Sequence, residues 1–290
     1  MKGGWTMYAP TLALNFLGEN AVENLQSAID LWNRRFQSIF TILTTSPEEF
    51  RGGAPWEMIV TVMGIIEATG VSLLIIFYLY GLFKTTTSYR DLVKNPKAII
   101  FSLFRLFIAK YFVTYSMDVL LGIMSIVQSL ISRIYTGTPT VSFTVPESLK
   151  TAVLNADWSA GLGAWFASAL GIALIFLLSM VLVVVVYGRF FKIFMLSAIA
   201  PIPLAGLASE ATESLGMNFL KSYIGECLRG VVILVACMLF SVFLTTPADL
   251  GATTPGSMTW LYVAEVTMQM FLLAFIVKGS DRMVKELFGL

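Results

Sequence analysis

An uninterrupted apolar stretch covers residues 161–187, GLGAWFASALGIALIFLLSMVLVVVVY, and contains no charged side chain. The hydrocarbon core of a bilayer is about 30 Å thick, and a helix needs roughly 20 residues to cross it. The stretch is long enough and apolar enough to do so. It therefore predicts a transmembrane helix and indicates that the chain is a membrane protein.

The composition of the whole chain agrees with this prediction. Of 290 residues, 57% are apolar and 13% are charged, and the mean hydropathy is +0.80. Soluble domains are about half apolar and about a quarter charged. The formal net charge of +1 argues against a nucleic-acid-binding surface, which needs a surplus of lysine and arginine. The chain has no histidine, which excludes histidine-ligated zinc or haem and Ser-His catalysis.

Motifs of catalysis and cofactor binding are also missing from the sequence. It contains no GxxxxGK(S/T) nucleotide loop and no GxSxG, CxxC or HExxH pattern. Cys227 and Cys237 lie on one apolar helix, too far apart along it to pair, and are expected to be core thiols. We therefore predict a protein that is not an enzyme and has no cofactor or metal site, so that partners or gradients must drive its work.

Four further stretches are predicted to cross the membrane, which gives an all-α integral membrane protein with about five spans. With the first stretch, the approximate limits are 57–83, 99–131, 161–187, 229–246 and 259–277. A sixth apolar stretch, 188–208, contains Pro201 and Pro203, which remove backbone donors and clash with the preceding turn. We expect it to form a broken re-entrant or interfacial helix. Residues 56–290 then constitute one polytopic membrane domain.

Residues 1–55 carry a different pattern. Their apolar side chains recur every three or four residues and share one helical face: Val22, Leu25, Ile29, Trp32, Phe36, Ile39 and Leu43. The other face carries charged residues, and Ser46-Pro47 and Gly52-Gly53 end the pattern. This predicts an amphipathic N-terminal helix that lies on the bilayer or against the protein's own bundle. A helix that binds a partner is the alternative.

The distribution of basic residues predicts the orientation, because lysine and arginine near span ends collect on the cytoplasmic side. With residues 1–55 outside and 188–208 not crossing, eleven of them lie inside: Lys84, Arg90, Lys94, Lys97, Arg189, Lys192, Lys221, Arg229, Lys278, Arg282 and Lys285. Three lie outside: Arg51, Arg133 and Lys150. If 188–208 crossed, six would lie inside and eight outside. We therefore expect five crossings, an extracytoplasmic N-terminus and a cytoplasmic C-terminus.

Polar side chains within the predicted spans are candidate functional residues. Glu67 lies well inside the first span, where a lone carboxylate costs roughly 3 kcal/mol on insertion scales. Lys110 is its candidate partner, because the second span runs antiparallel to the first and brings the two residues to a similar depth. Asp118 and Arg105 are expected to extend towards opposite membrane surfaces. Two interpretations stay open, a pair that sets the register of two helices or side chains that line a polar conduit.

Small residues recur every four positions on the third span, at Gly163, Ala167 and Gly171. Small residues at this spacing let helix backbones approach closely, which favours helix association in lipid. They predict a tightly packed helix contact. The facing helix belongs either to the same chain or to a neighbouring copy.

One region resembles a known family. The stretch Tyr187–Ile193, the Ala198–Pro203 segment and the amphipathic stretch Gly216–Lys221 are similar to the central region of TrbL-like proteins, which are multi-pass inner-membrane subunits of bacterial type IV secretion and conjugation machines. The resemblance implies a channel or scaffold subunit present in several copies, with an outside N-terminal region. The partners that it implies are membrane lipid and other secretion subunits, including cytoplasmic ATPases. It also implies that the chain contacts the transferred DNA or protein indirectly.

Residues 189–203 are the predicted partner-facing segment. Arg189 and Lys192 lie at the cytoplasmic end of the third span, where they either anchor the helix at the headgroups or face an anionic substrate or acidic partner. Pro201 and Pro203 are expected to open the helix and free the carbonyls of residues 197–199. A small-solute or ion transporter is the alternative function, although the odd number of spans and the lack of a visible duplication argue against an inverted repeat.

Overall fold

The computed structural model describes residues 5–85, 96–135, 142–243 and 254–289, and these residues are almost entirely α-helical, without a β-strand. The α-helices in these ranges are α1 (Trp5–Thr44), α2 (Ala54–Thr85), α3 (Pro96–Thr114), α4 (Ser116–Tyr135), α5 (Glu147–Leu154), α6 (Trp158–Ile199), α7 (Pro201–Ala205), α8 (Glu213–Phe243) and α9 (Pro255–Phe288). Short 3-10 helices cover Phe50–Gly53 and Gly206–Ala208. The predicted all-α class is confirmed.

Five helices among the described residues are long and apolar enough to cross a membrane. They cover Phe50–Lys84, Ser116–Tyr135, Trp158–Ile199, Glu213–Val242 and Pro255–Phe288. This agrees with the predicted number of about five spans. Arg90 and Lys94, which the orientation argument counts on the cytoplasmic side, lie outside the described residues.

The stretch 99–131, expected to be one span, forms two helices, α3 and α4. At the junction Ser116 is buried, and its hydroxyl donates a hydrogen bond to the carbonyl of Val113 over 2.9 Å. A serine hydroxyl bonded to the preceding turn competes with the backbone for that carbonyl and often bends the helix. The amide of Tyr115 still donates to the carbonyl of Tyr111 at 2.9 Å, so the chain stays helical up to the junction.

Helix α6 continues for 42 residues, through the point at 188 where a broken helix was expected to begin. The interruption comes at Ala200, and Pro201 then begins α7. A proline is tolerated in the first helical turn because its missing amide has no partner there. The irregular part of the expected segment 188–208 is therefore confined to residues 200–208.

The described chain divides into two compact units, and α1, α6, α8 and α9 contribute residues to both. The first unit comprises Met1–Thr41, Gly137–Val185 and Ile233–Gly279. The second comprises Ile42–Thr136, Val186–Val232 and Ser280–Leu290. Residues 42–55 belong to the second unit, and the boundary predicted near residue 55 stays a prediction.

The first unit packs one face of α1 against its other helices. Trp32 lies 6.0 Å from Phe240 between ring centroids, and the side-chain amide of Asn33 donates to the carbonyl of Phe143 at 2.8 Å. Six of the seven apolar residues predicted for this face are buried, and Val22 is half-buried. The predicted amphipathic helix is confirmed, and its apolar face packs against the protein's own bundle.

The second unit is built around aromatic residues from the turn before α2, the start of α2 and the end of α6. Phe50 stacks on Phe190 with 4.4 Å between ring centroids, and Trp56 lies 6.0 Å from Phe194. Arg51, which precedes α2, has a φ of 52°, a left-handed conformation uncommon for residues other than glycine. These contacts bring the start of α2 and the end of α6 to the same depth in this unit.

Candidate functional site

The most unusual side chain of the second unit is Arg189, on α6, which has no exposed surface. Its Nε donates to the carbonyl of Glu226 at 3.3 Å and its Nη2 to the carbonyl of Cys227 at 3.2 Å, both on α8. Its Nη1 is buried without a hydrogen-bond partner among the described residues. A carbonyl oxygen has two lone pairs, so those in a helix can accept a side-chain donor as well as the backbone amide. Arg189 thereby fastens α6 to α8.

Gly230 makes room for this guanidinium. A Cβ atom at position 230 would lie 2.6 Å from Nη2 and 2.7 Å from Nη1 of Arg189. Both distances are shorter than van der Waals contact, so any larger residue would displace the arginine. The GECLRG stretch of residues 225–230 therefore supplies both the accepting carbonyls and the space for the side chain.

A charged cluster lies beside Arg189 and consists of Lys192, Glu226, Arg229, Asp281 and Lys285. Lys192 Nζ is 2.6 Å from Glu226 Oε2 and 2.8 Å from Asp281 Oδ1. Arg229 Nη1 is 3.0 Å from Glu226 Oε1, and Lys285 Nζ is 2.8 Å from Asp281 Oδ2. The cluster joins the end of α6, the middle of α8 and the end of α9.

Burial and charge show what this cluster can do. The Glu226 side chain is 2% exposed, so it depends on its two cationic partners to offset the cost of burying a carboxylate. The cluster has three cations and two carboxylates and therefore a positive surplus, while 36% of the Lys192 side chain stays exposed. It can hold three helices in register and present positive charge at the surface.

The two predicted partner-facing cations thus have different environments. Arg189 is enclosed by the protein, whereas Lys192 is partly exposed within the charged cluster. Sequence reasoning did not single out Glu226 or Asp281. The signal for them was the spacing of opposite charges, with Glu226 three residues before Arg229 and Asp281 four residues before Lys285.

Both prolines lie in the second unit, between the end of α6 and the start of α8. Pro201 is buried and packs against α2. A Cβ atom added at Gly70 on α2 would lie 2.7 Å from the Cβ of Pro201. Pro203 is half-buried. The carbonyl of Ser197, expected to lose its donor, accepts a hydrogen bond from the amide of Ala200 at 3.3 Å. A tighter turn replaces the bond that Pro201 cannot make.

The predicted intramembrane residues are not brought together. Glu67 is half-buried on α2, Lys110 is exposed on α3, and Asp118 is exposed on α4. No ion pair within 4.0 Å among the described residues includes any of the three. Arg105 lies on the same helix, five residues before Lys110. It pairs with Glu213 at the start of α8.

The small residues of α6 face α9 of the same chain, within the first unit. A Cβ at Gly171 would lie 3.0 Å from Cγ1 of Val263, and one at Gly163 would lie 4.0 Å from Cα of Gly256. Ala167, between them, is fully buried. This contact answers the question left open by the sequence in favour of the same chain.

The fold defines the class first: five helices in the described part of the chain are long and apolar enough to cross a membrane, as in a multi-pass α-helical membrane protein. The sequence model of the TrbL/VirB6 plasmid conjugal transfer-like proteins matches residues 32–201, more than half of the chain, and the chain belongs to this family. No curated protein and no solved structure matches it.

Membership of this family implies a subunit of a conjugal transfer, or type IV secretion, machine that associates with other subunits of that machine. Proteins of the family are structural secretion-system subunits and are not known enzymes. The match includes Arg189, Lys192 and Pro201. It ends before Glu226 and Asp281, which complete the charged cluster.

Proposed function

We propose that this chain is a channel or scaffold subunit of a conjugative type IV secretion apparatus in the bacterial inner membrane. Several copies surround the path along which DNA or protein substrate leaves the cell, and cytoplasmic ATPases drive the transfer. The family match over residues 32–201 is the observation that carries this proposal.

The proposed orientation has the N-terminus outside and the C-terminus in the cytoplasm. Lys192, Arg229 and Lys285 are each adjacent to a different predicted span, and a common contact with Glu226 or Asp281 supports their location on one side of the membrane. A crossing by residues 188–208 would separate Lys192 from Arg229, although both contact Glu226. This supports a segment that starts and ends on the cytoplasmic side.

The packing supports this orientation only from residue 188 onward. Phe50 stacks on Phe190, next to Arg189, so the turn between α1 and α2 lies near the charged cluster. Three predicted spans lie between these two residues, and three complete crossings would place them on opposite sides of the bilayer. This contact therefore does not support the predicted position of residues 1–55 on the outside.

A complementation experiment tests the function. The gene is deleted from a conjugative donor strain and supplied again on a second plasmid, and conjugation frequency is measured at matched membrane abundance of the protein. We expect deletion to abolish transfer and the wild-type chain to restore it. Unchanged transfer without the chain would refute the proposal, and solute uptake by proteoliposomes containing this chain alone would favour a transporter instead.

A comparison of two neutralised cations tests the role of the charged cluster in the same strain. Lys192→Gln removes a partly exposed cation while Glu226 keeps its contact with Arg229. Arg282→Gln removes an exposed cation outside the cluster, since Arg282 pairs only with Glu286 among the ion pairs of the described residues. We expect lower transfer for the first variant and normal transfer for the second. Equal conjugation frequencies for the two variants would show that Lys192 and its cluster have no role in transfer.

A further inference from the structure

A cavity of about 640 Å³ opens in the second unit between α2, α3 and the start of α8. It shares no lining residue with the charged cluster. Its walls are largely apolar and include Leu82, Phe104, Ile108 and Leu220. Its volume is within the range of cavities that hold small organic molecules, about 300–1,000 Å³. Phe104 is 62% exposed, so the cavity opens on the side of the unit where apolar side chains face outward.

The lining of the cavity also carries both signs of charge. Arg105 pairs through Nη2 with Glu213, and its side chain stays 34% exposed. A guanidinium has five N–H donors, so this pair leaves others for a further acceptor. Glu210 also lines the cavity, is exposed, and is not part of any ion pair in the described part of the chain. The lining therefore offers one guanidinium with spare donors and one carboxylate outside the ion pairs of the described residues.

The charged lining residues come from two places in the fold. Glu210 lies in the turn between Gly206–Ala208 and α8, and Glu213 is the first residue of α8. Arg105 lies in the middle of α3, between the apolar lining residues Phe104 and Ile108. The cavity thus combines charged groups with apolar walls. A membrane lipid combines the same two parts, a charged headgroup and an acyl chain.

We propose that this cavity binds one phospholipid whose headgroup carries a primary ammonium, as in phosphatidylethanolamine. The phosphate bonds to the remaining donors of Arg105, the ammonium donates to Glu210, and an acyl chain lies along the apolar walls. Charge-assisted hydrogen bonds of this kind are among the strongest available to a protein. The quaternary ammonium of a phosphocholine headgroup has no N–H to donate to Glu210. An anionic phosphoglycerol headgroup would face the carboxylates of Glu210 and Glu213 without supplying a cation.

Native mass spectrometry of the full-length purified chain tests this proposal. The probes are three lipids with identical acyl chains and phosphoethanolamine, phosphocholine or phosphoglycerol headgroups. We expect one lipid per chain, with the phosphoethanolamine lipid retained about tenfold better than the other two, the effect of one additional charged hydrogen bond. Glu210→Gln should remove the preference for the ammonium, and Arg105→Gln should weaken binding of all three lipids.

Matched controls separate the site from general effects of charge. Glu23→Gln and Arg34→Gln change an exposed carboxylate and an exposed guanidinium on α1 and should leave the preference unchanged. Because Arg105→Gln also breaks the pair with Glu213, Ser102→Phe provides a second variant that fills the cavity without changing charge. Equal retention of the three lipids, or a preference that survives Glu210→Gln, would overturn the proposal. So would a cross-link between copies through cysteines at Phe101 and Met217, because a second chain would then occupy the cavity.

Discussion

Substitution of Gly230 by alanine tests how the buried arginine fastens α6 to α8. The new Cβ would lie 2.6 Å from Nη2 of Arg189 and 2.7 Å from its Nη1, so the guanidinium must move. It is fully buried, and a displacement of that size breaks its bonds to the carbonyls of Glu226 and Cys227 at 3.3 and 3.2 Å. The variant should therefore be less stable than the wild-type protein.

The magnitude follows from these two hydrogen bonds. Each hydrogen bond to a charged group contributes about 1.5–3 kcal/mol, so the loss of both costs about 3–6 kcal/mol. Alanine is better than glycine in a helix by about 1 kcal/mol, which offsets part of the loss. The free energy of unfolding should thus fall by about 2–5 kcal/mol. In a protein that already carries Arg189→Met, the clash with the guanidinium is absent. Gly230→Ala should then change the free energy of unfolding little.

The two cysteines of the chain provide the assay. Cys227 and Cys237 are both buried and free, so a thiol-reactive dye reports their exposure as the purified protein unfolds on heating. Gly279→Ala is the matched control, since a Cβ there would meet nothing within 4 Å. A melting temperature for Gly230→Ala equal to that of this control would refute the packing of Arg189 described above.

Three further predictions concern topology, helix packing and the prolines. Cysteines at the exposed positions Ser142 and Ser214 should react with an impermeant reagent from opposite sides of the membrane, Ser142 from the outside, because the proposed orientation has one crossing between them; labelling of Ser214 from the outside of intact cells would contradict the five-span topology. Ala167→Leu should lower the free energy of unfolding by about 1–3 kcal/mol by overfilling the contact between α6 and α9, and an unchanged melting temperature would show that the face is loosely packed. Pro201→Ala with Pro203→Ala should leave membrane insertion intact but lower conjugation frequency by straightening the segment, whereas normal transfer at matched abundance would remove these residues from the functional site.

Much of the fold could be predicted from patterns along the chain. The apolar stretches predicted about five membrane helices, and the three-four spacing from Leu25 to Leu43 predicted the buried face of α1. Both signals depend on residues within a few turns of each other, where helical periodicity alone determines which side chains share a face. The proline pair similarly indicated an interruption near residue 200, because the cost of an interior proline is local.

The contacts of the candidate site could not be predicted in this way, because they join residues that are far apart along the chain. The pair proposed for Glu67 and Lys110 rested on similar depth in antiparallel spans, but depth does not specify which faces of two helices meet. Arg105, on the same helix as Lys110, pairs with Glu213 instead. The break between α3 and α4 at Tyr115 also has no glycine or proline within six residues on either side.

By itself, the sequence determined that the chain is an α-helical membrane protein, where its long apolar stretches lie, and that Arg189 and Lys192 follow the third of these stretches. Only the tertiary structure decided that Arg189 is buried over Gly230 while Lys192 joins the charged cluster. The physical reason is that a charge in a low-dielectric environment needs partners within a few ångströms. Those partners, Glu226 and Asp281, come from helices far along the chain, and packing alone brings them within reach.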